Sequence, residues 1–276
     1  MKNLQTRNIS LPQLGLGTFR MLGDDCRAAV ESGLALGYRH LDTAAMYANE
    51  EAVGAAITAS GIRRDALHVT TKVWHDQLAP AAIRASLQAS LDKLQLDYVD
   101  LFMVHWPSPD MDLRAIFATL AQLQAAGRVR AIGVCNFTLS MLRMAIDEIG
   151  EPLACNQVEY HVLLDQTPML RYLAGKSIPL VAHCPLAQGT LADNPALIAI
   201  GRKHGFGPAQ VALKWLLDQD GVAAIPKAQR PSSQQANLDA LKLELDDEDR
   251  RMIAALPKDR RFVNPPFAPL WDTSEK

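Results

Sequence analysis

The chain predicts an α/β fold, a (β/α)8 barrel of the TIM type forming a single domain across residues 1–276. Three observations carry this expectation. Apolar, β-type segments alternate with helix-period segments along the whole sequence, the order of parallel strands joined by crossover helices. The β-type segments number eight. Polar residues recur at or just past the ends of several of them, the edge at which barrels of this kind build their sites. With 276 residues, 49% of them hydrophobic, the chain is long enough to bury the core such a barrel needs.

In chain order, the strands are expected at residues 14–18, 40–42, 68–72, 99–105, 129–135, 156–159, 180–183 and 223–225. Asp24 and Asp25 open a helix that runs through Ala28, Ala29, Val30 and Leu34 and stops near Gly37, with its acids at the positive end of the helix dipole. Pro80 starts another, which places Ile83, Leu87, Leu91 and Leu94 on one apolar stripe. Pro208 stands at the start of a helix over 209–217, and Pro231 precedes one over 232–241.

A formal net charge of -2, with basic residues scattered rather than blocked, offers no electrostatic footprint for nucleic acid or an anionic membrane. The first eight residues lack the apolar run of a signal peptide and no later stretch reaches membrane-span length, so the expected location is cytoplasmic. Cys26, Cys135, Cys155 and Cys184 are widely spaced and form no metal-binding pattern, which favours reduced, unpaired thiols.

Four polar side chains stand out. Asp42, Lys72 and His105 end the second, third and fourth expected strands, and Tyr47 lies in the loop after the second. Adjacent parallel strands are about 4.8 Å apart, so these groups can converge at one mouth. A phenol with an ordinary pKa of about 10 is a proton donor at neutral pH when a nearby cation eases the phenolate it leaves behind. Lys72 supplies that cation, Asp42 holds it, and His105 hydrogen-bonds the reacting oxygen. The chemistry implied is reduction of a carbonyl. Taken singly, Asp42-Thr43 reads as a helix cap, Lys72 as a surface lysine, Tyr47 as a rim aromatic and His105 as a core histidine; only their joint placement argues for a site.

Gly15-Leu-Gly-Thr-Phe19, Gly37-Tyr-Arg-His-Leu-Asp-Thr-Ala-Ala-Met-Tyr47, Thr71-Lys-Val-Trp74, Tyr98-Val-Asp-Leu-Phe-Met-Val-His-Trp-Pro107 and Gly133-Val-Cys-Asn-Phe137 resemble, in order, the motif blocks of the aldo-keto reductases. Within that family the chain is most similar to the compact bacterial 2,5-diketo-D-gluconate reductases. The resemblance implies NADPH-dependent reduction without a metal, with Tyr47 as proton donor, Lys72 and Asp42 tuning it, and His105 orienting the carbonyl. It also implies a monomer with a small-molecule carbonyl substrate.

By the same resemblance the cofactor extends across the barrel mouth, with Thr18 and Asp42 near it. Cys135, Asn136 and Gln157 face the nicotinamide carboxamide, His183 lies under the ring, and Leu186 and Gln188 meet the pyrophosphate. Gly15-x-Gly17 followed by Arg20 is not a Rossmann fingerprint, and a tight turn at a strand end is the better explanation of it. Lys227 and Arg230, just after the eighth strand, offer the positive charge that a 2'-phosphate needs, next to a helix N-terminus. Two solvated loop cations are the plain alternative.

Departures from the family pattern are Cys135 for serine, His183 for tyrosine, Ser233 for arginine and Ala236 for glutamate, while Asn237 matches on the adenine side. Phe19, Trp74 and Trp106, together with His105, are expected to shape the substrate pocket. A short loop after Pro107 and a short Pro- and Phe-rich tail over 261–271 suggest an open site for small dicarbonyls and aldehydes. By resemblance these include 2,5-diketo-D-gluconate and methylglyoxal.

Two other classes stay open at this point. A metal-dependent barrel hydrolase would use His40, Asp42, His105 and His183 as ligands. A non-catalytic nicotinamide sensor would keep the fold and lose turnover.

Overall fold

The computed structural model describes residues 2–7 and 9–272. It opens with an antiparallel hairpin, β1 (Asn3–Thr6) and β2 (Ile9–Pro12), that the sequence reading did not anticipate. Eight parallel strands follow: β3 (Leu16–Gly17), β4 (His40–Asp42), β5 (His68–Val73), β6 (Val99–Val104), β7 (Val129–Cys135), β8 (Asn156–Glu159), β9 (Leu180–His183) and β10 (Val222–Ala224). They pair in chain order, β3 through β10.

The sheet then meets itself. Ala224 N donates to Gln13 O at 2.8 Å, Gly15 N to Ala224 O at 2.9 Å, and Gly17 N to Pro226 O at 3.1 Å. Parallel bridges join Leu14 to Ala224 and Gly17 to Lys227 across the same seam. The expected (β/α)8 barrel is therefore present, with its first strand reduced to two residues plus these bridges.

The two glycines of Gly15-x-Gly17 have a different reason from the turn considered above. A Cβ on Gly15 would lie 2.6 Å from the His40 ring, and one on Gly17 would lie 2.7 Å from the Ile225 carbonyl oxygen. Close approach, of the His40 ring at Gly15 and of the seam's main chain at Gly17, favours glycine at both positions.

β5 and β6 are buried at every position, as parallel strands covered on both faces must be, including the polar Thr70, Thr71 and Lys72 of β5. Inside the barrel, Leu101, Met103, Ala131, Cys135, Cys155, Val181 and Ala223 pack with Leu4, Ile9 and Leu11 of the hairpin, which plugs one end. A larger cluster fills the space between sheet and helices and takes in Ile83, Leu87, Leu91 and Leu94 as the helical stripe predicted.

Helices occupy Gly23–Leu36, Pro80–Leu94, Pro208–Leu217 and Pro231–Asp239, matching the four expected ones to within a few residues. Gly37 ends the first at φ 105° and donates to Gly33 O and Leu34 O. Among the described residues, no helix is long and apolar enough to cross a membrane.

Candidate active site

Asp42, Tyr47, Lys72 and His105 converge at the end of the barrel where the strands terminate. Lys72 is fully buried, and its Nζ donates to Asp42 Oδ1 at 2.5 Å and to the Thr43 carbonyl at 2.9 Å. The other Asp42 oxygen accepts from Gln157 Nε2 at 2.8 Å. Tyr47 closes a short turn, Ala45–Tyr47, and its ring centroid lies 5.2 Å from Lys72 Nζ. The His105 ring meets Tyr47 edge-on at 5.5 Å.

The loop that carries Tyr47 is held from within. Thr43 Oγ1 donates to Asn49 Oδ1 at 2.6 Å, and Asn49 Nδ2 donates to the carbonyls of Thr18 and Met21, both at 2.9 Å. Thr18 Oγ1 donates to Asp42 O at 3.0 Å, tying the first two strand ends together. Glu50, buried at the start of the following helix, accepts from Thr71 Oγ1 at 2.6 Å. None of Thr43, Asn49, Glu50 or Thr71 was among the site residues expected from the sequence, where each looks like an ordinary polar residue near a strand end.

Burial pushes the Tyr47 hydroxyl up to about 12, with the Lys72 ammonium pulling it down and Asp42 pushing it further up. The cation thus acts in the expected direction, yet the net displacement is upward, and the phenol stays protonated across the neutral range. For Lys72, burial opposes the charge but is outweighed by Asp42 and Tyr47, which hold the ammonium above its ordinary value. Burial, the Lys72 charge and then His183 and His75 keep His105 well below the usual histidine range, so its imidazole is neutral. His105 Nδ1 is buried without a partner among the described residues.

Of the residues assigned to the cofactor by resemblance, Asn136 sits with a positive φ of 59°. Its Nδ2 donates to His105 O at 3.0 Å, and its Oδ1 lies 2.9 Å from His183 Nε2. Burial lowers His183 to about 4, so the ring is neutral and Nε2 is the donor in that contact. Cys135 is fully buried, its thiol 3.8 Å from the Met103 sulfur in the barrel interior. Leu186 is half-buried and Gln188 exposed, in a loop where Ala187 and Gln188 have positive φ. Asn237 is buried on the helix that Pro231 starts.

Lys227 and Arg230 are exposed beside that helix's N-terminus. Neither forms an ion pair among the described residues, and the one side-chain contact of Lys227 is with Gln229 at 3.3 Å. Two uncommitted cations next to a helix N-terminus are a donor set that suits a phosphate.

A continuous run of aromatic contacts rims the site. Phe19, 43% exposed, lies 5.0 Å from Tyr47, and Trp74 lies 5.0 Å from His105. Trp106 is buried, covered by Phe267 at 5.5 Å and Trp271 at 6.0 Å. Phe267 also stacks on His75 at 4.2 Å. The expectation of an open site is therefore corrected on one side: the tail crosses the mouth and forms a wall there, because its aromatic rings bury against Trp74, His75 and Trp106. His75, Phe267 and Trp271 were not among the pocket residues named from the sequence.

The metal set His40, Asp42, His105 and His183 does not converge. Among the described residues the one close group of three donors is His204, Asp246 and Asp249, where Lys203 Nζ already lies 2.5 Å from Asp246 and 3.0 Å from Asp249. A cleft of about 530 Å³ lined by Arg39, His68, Asp100 and Arg130 lies at the hairpin end; its Asp100 is already paired with Arg64 at 2.6 Å and lies 3.8 Å from Arg130, and Arg39 donates to the carbonyls of Leu34 and Tyr38.

The sequence profile of the Aldo/keto reductase family matches residues 13–258. The chain is 38% identical over 268 residues to methylglyoxal reductase DkgB of Escherichia coli O157:H7, covering 96% of this chain and 100% of that protein. It is 40% identical over 254 residues to glyoxal reductase of Bacillus subtilis (strain 168), covering 92% and 91%. A crystal structure assigned as 2,5-diketo-D-gluconic acid reductase B superimposes with a TM-score of 0.94 at 38% identity, covering 99% of this chain and 98% of the other.

Proposed function

The chain belongs to the aldo/keto reductase family, and on that footing we propose that it reduces small dicarbonyls and aldehydes to alcohols with NADPH, Tyr47 serving as proton donor. Its relatives include proteins named for methylglyoxal, glyoxal and diketogluconate reduction, which supports small α-dicarbonyls and keto-sugar acids as the substrate class. The nicotinamide cofactor that the family uses supplies the hydride when bound. Lys227 and Arg230 are the residues to hold the 2'-phosphate that sets NADPH apart from NADH.

The chain's own contribution is orientation and a proton. As the carbonyl oxygen gains negative charge, it is held between the Tyr47 hydroxyl and the neutral His105 imidazole, a donor pair already in place. An alkoxide is far more basic than a phenolate, so a tyrosine near 12 still gives up its proton readily to it. The phenolate left behind lies beside the Lys72 ammonium, which Asp42 keeps charged and fixed. Phe19, Trp74 and the tail aromatics exclude water from the oxygen while this happens.

The observation that carries the proposal is the fully buried Lys72 ammonium, paired with Asp42 at 2.5 Å and set 5.2 Å from the Tyr47 ring. The decisive experiment follows NADPH consumption with methylglyoxal in wild type and Tyr47→Phe. Turnover in the variant should fall at least about a hundredfold, the lower range for positioned acid catalysis, with NADPH affinity kept. Near-normal turnover in Tyr47→Phe removes that residue from the proton-transfer step. A wild type that binds NADPH but reduces no carbonyl points to the sensor reading instead.

A further inference from the structure

β8 ends at the mouth in Glu159, a carboxylate with no exposure to solvent. Its Oε1 accepts from His161 Nε2 at 2.9 Å and from the Phe262 main-chain N–H at 2.7 Å. Its Oε2 accepts from the Val263 N–H at 2.9 Å and lies 3.8 Å from Arg261 Nη1. His161 Nδ1 accepts from Leu163 N at 3.3 Å, which leaves the ring proton on Nε2 as the donor toward Glu159. Burial works against ionisation of this carboxyl, but the hydrogen bonds from His161, Phe262 and Val263 outweigh it and hold the group below its ordinary range.

Two of those donors are main chain of the segment 261–272, which contains no helix or strand. From Glu159 this segment runs to the mouth, where Phe267 meets His75, Trp74 and Trp106, and Trp271 meets Trp106. The Arg261 guanidinium lies 3.7 Å from the Trp271 ring centroid, between that ring and Glu159. At its far end Asp272 accepts from the Leu139 N–H at 2.8 Å. The near end of this strap is held by that buried carboxylate, two residues beyond Gln157, whose amide holds Asp42; Gln188 Nε2 adds a 3.3 Å hydrogen bond to the Phe262 carbonyl, and Arg260 N donates to Leu163 O at 2.9 Å just before it.

We propose that Glu159 is a positioning residue that sets the width of the carbonyl pocket: by clasping the main chain at Phe262 and Val263, it holds Phe267 and Trp271 against Trp74 and Trp106 and restricts the mouth to small carbonyl compounds. This rests on the reading of that mouth as a carbonyl reductase site. Releasing the clasp frees the aromatic wall, so small substrates lose their packing while bulky ones gain room.

The test compares wild type, Glu159→Gln and Val263→Pro. The second variant deletes one clasp donor from the tail side without touching the barrel, so it answers even where Glu159→Gln does not fold. Three quantities are measured: kcat and KM for methylglyoxal and for 2-naphthaldehyde, NADPH affinity, and the rate of trypsin cleavage after Arg260 and Arg261. The expected result is faster cleavage at an unchanged NADPH affinity. The ratio of kcat/KM for methylglyoxal to that for naphthaldehyde should fall by about tenfold or more, the scale of one lost hydrogen bond to a charged group, mainly through KM. Wild-type cleavage rates in both variants overturn the clasp, and a released tail with an unchanged substrate ratio overturns its role in pocket width. Should the wild type reduce neither aldehyde, the functional reading fails while cleavage still judges the clasp.

Discussion

Replacing Lys72 by methionine separates what its charge does for the fold from what it does for the proton. In the wild type, Nζ gives hydrogen bonds to Asp42 Oδ1 at 2.5 Å and to Thr43 O at 2.9 Å, inside a site with no solvent access. Methionine fills nearly the same space, but it leaves the Asp42 carboxylate with Gln157 as its remaining side-chain donor and leaves the Thr43 carbonyl without that donor. Removing one partner of a buried ion pair costs about 3–5 kcal/mol. For a chain of this size that lowers Tm by roughly 10 °C. Removing the second charge as well, in Asp42→Asn with Lys72→Met, should restore stability to within about 1–2 kcal/mol of wild type, because no buried charge is left unpaired. Turnover should not return: in both variants Tyr47 has lost the group that draws its pKa down, and single-turnover reduction followed at 340 nm should stay at least about a hundredfold slow. Denaturant unfolding supplies the stability half. A single variant that loses less than about 1 kcal/mol, or a double variant that regains turnover, would refute this division of roles.

Four further outcomes follow from the same structure. With Tyr47 near 12 and His105 and His183 neutral, kcat/KM for reduction should be flat from about pH 6.5 to 9, and an ionisation near 7 in that profile would exclude the assigned states. His183 has its folded value, about 4, below its unfolded 6.5, so its contribution is complete above 6.5 and is lost as pH falls toward 4; it amounts to about 3 kcal/mol, and urea midpoints measured at pH 7 and 5 should drop in wild type and drop less in His183→Gln. Lys227→Glu and Arg230→Glu should each raise the KM for NADPH at least about tenfold and leave that for NADH nearly unchanged, whereas parallel changes in both would mean that neither cation meets the 2'-phosphate. Gly17→Ala forces a Cβ to within 2.7 Å of the Ile225 carbonyl oxygen at the barrel seam and should cost about 1–3 kcal/mol in denaturant unfolding, and an unchanged midpoint would show that the seam can spread.

The barrel was legible because short β-type segments alternate with helical stripes along the whole chain, with the Pro-initiated helices marking the intervals between them. The hairpin was not. Its two strands have four residues each, too short for alternation to stand out, and its apolar side chains acquire meaning only as a plug for a barrel already closed. Asp42, Lys72 and His105 were legible for a related reason: a polar residue at or beside the end of a β-type run sits on the functional edge by topology, before any contact is known. Cys135 ends such a run too, yet its thiol is turned toward the sulfur of Met103 in the interior, so position at a strand end narrows the candidates without fixing where a side chain points. The sign of the Tyr47 displacement was likewise out of reach, since it depends on how far burial outweighs one ammonium.

The tail shows the remaining gap in its sharpest form. Its path is set by main-chain donors at Phe262 and Val263, which every sequence would offer, and by rings whose partners lie more than a hundred residues earlier. Nothing periodic marks such a segment. Yet one sign was present in the strand that receives it. Glu159 lies two residues after Gln157 on the same strand and so on the same face, inside a stretch that must be buried on both sides. A carboxylate there needs several donors or it will not stay ionised. Its immediate neighbours in the chain, Val158 and Tyr160, supply no cation, and His161 supplies a single N–H. The rest of its donors had to come from elsewhere in the chain, and a segment without its own backbone pairing is the one part of a barrel protein with N–H groups to spare. Accounting for the donors of each buried strand-end acid therefore leads from β8 to the tail, and from the tail to the width of the mouth.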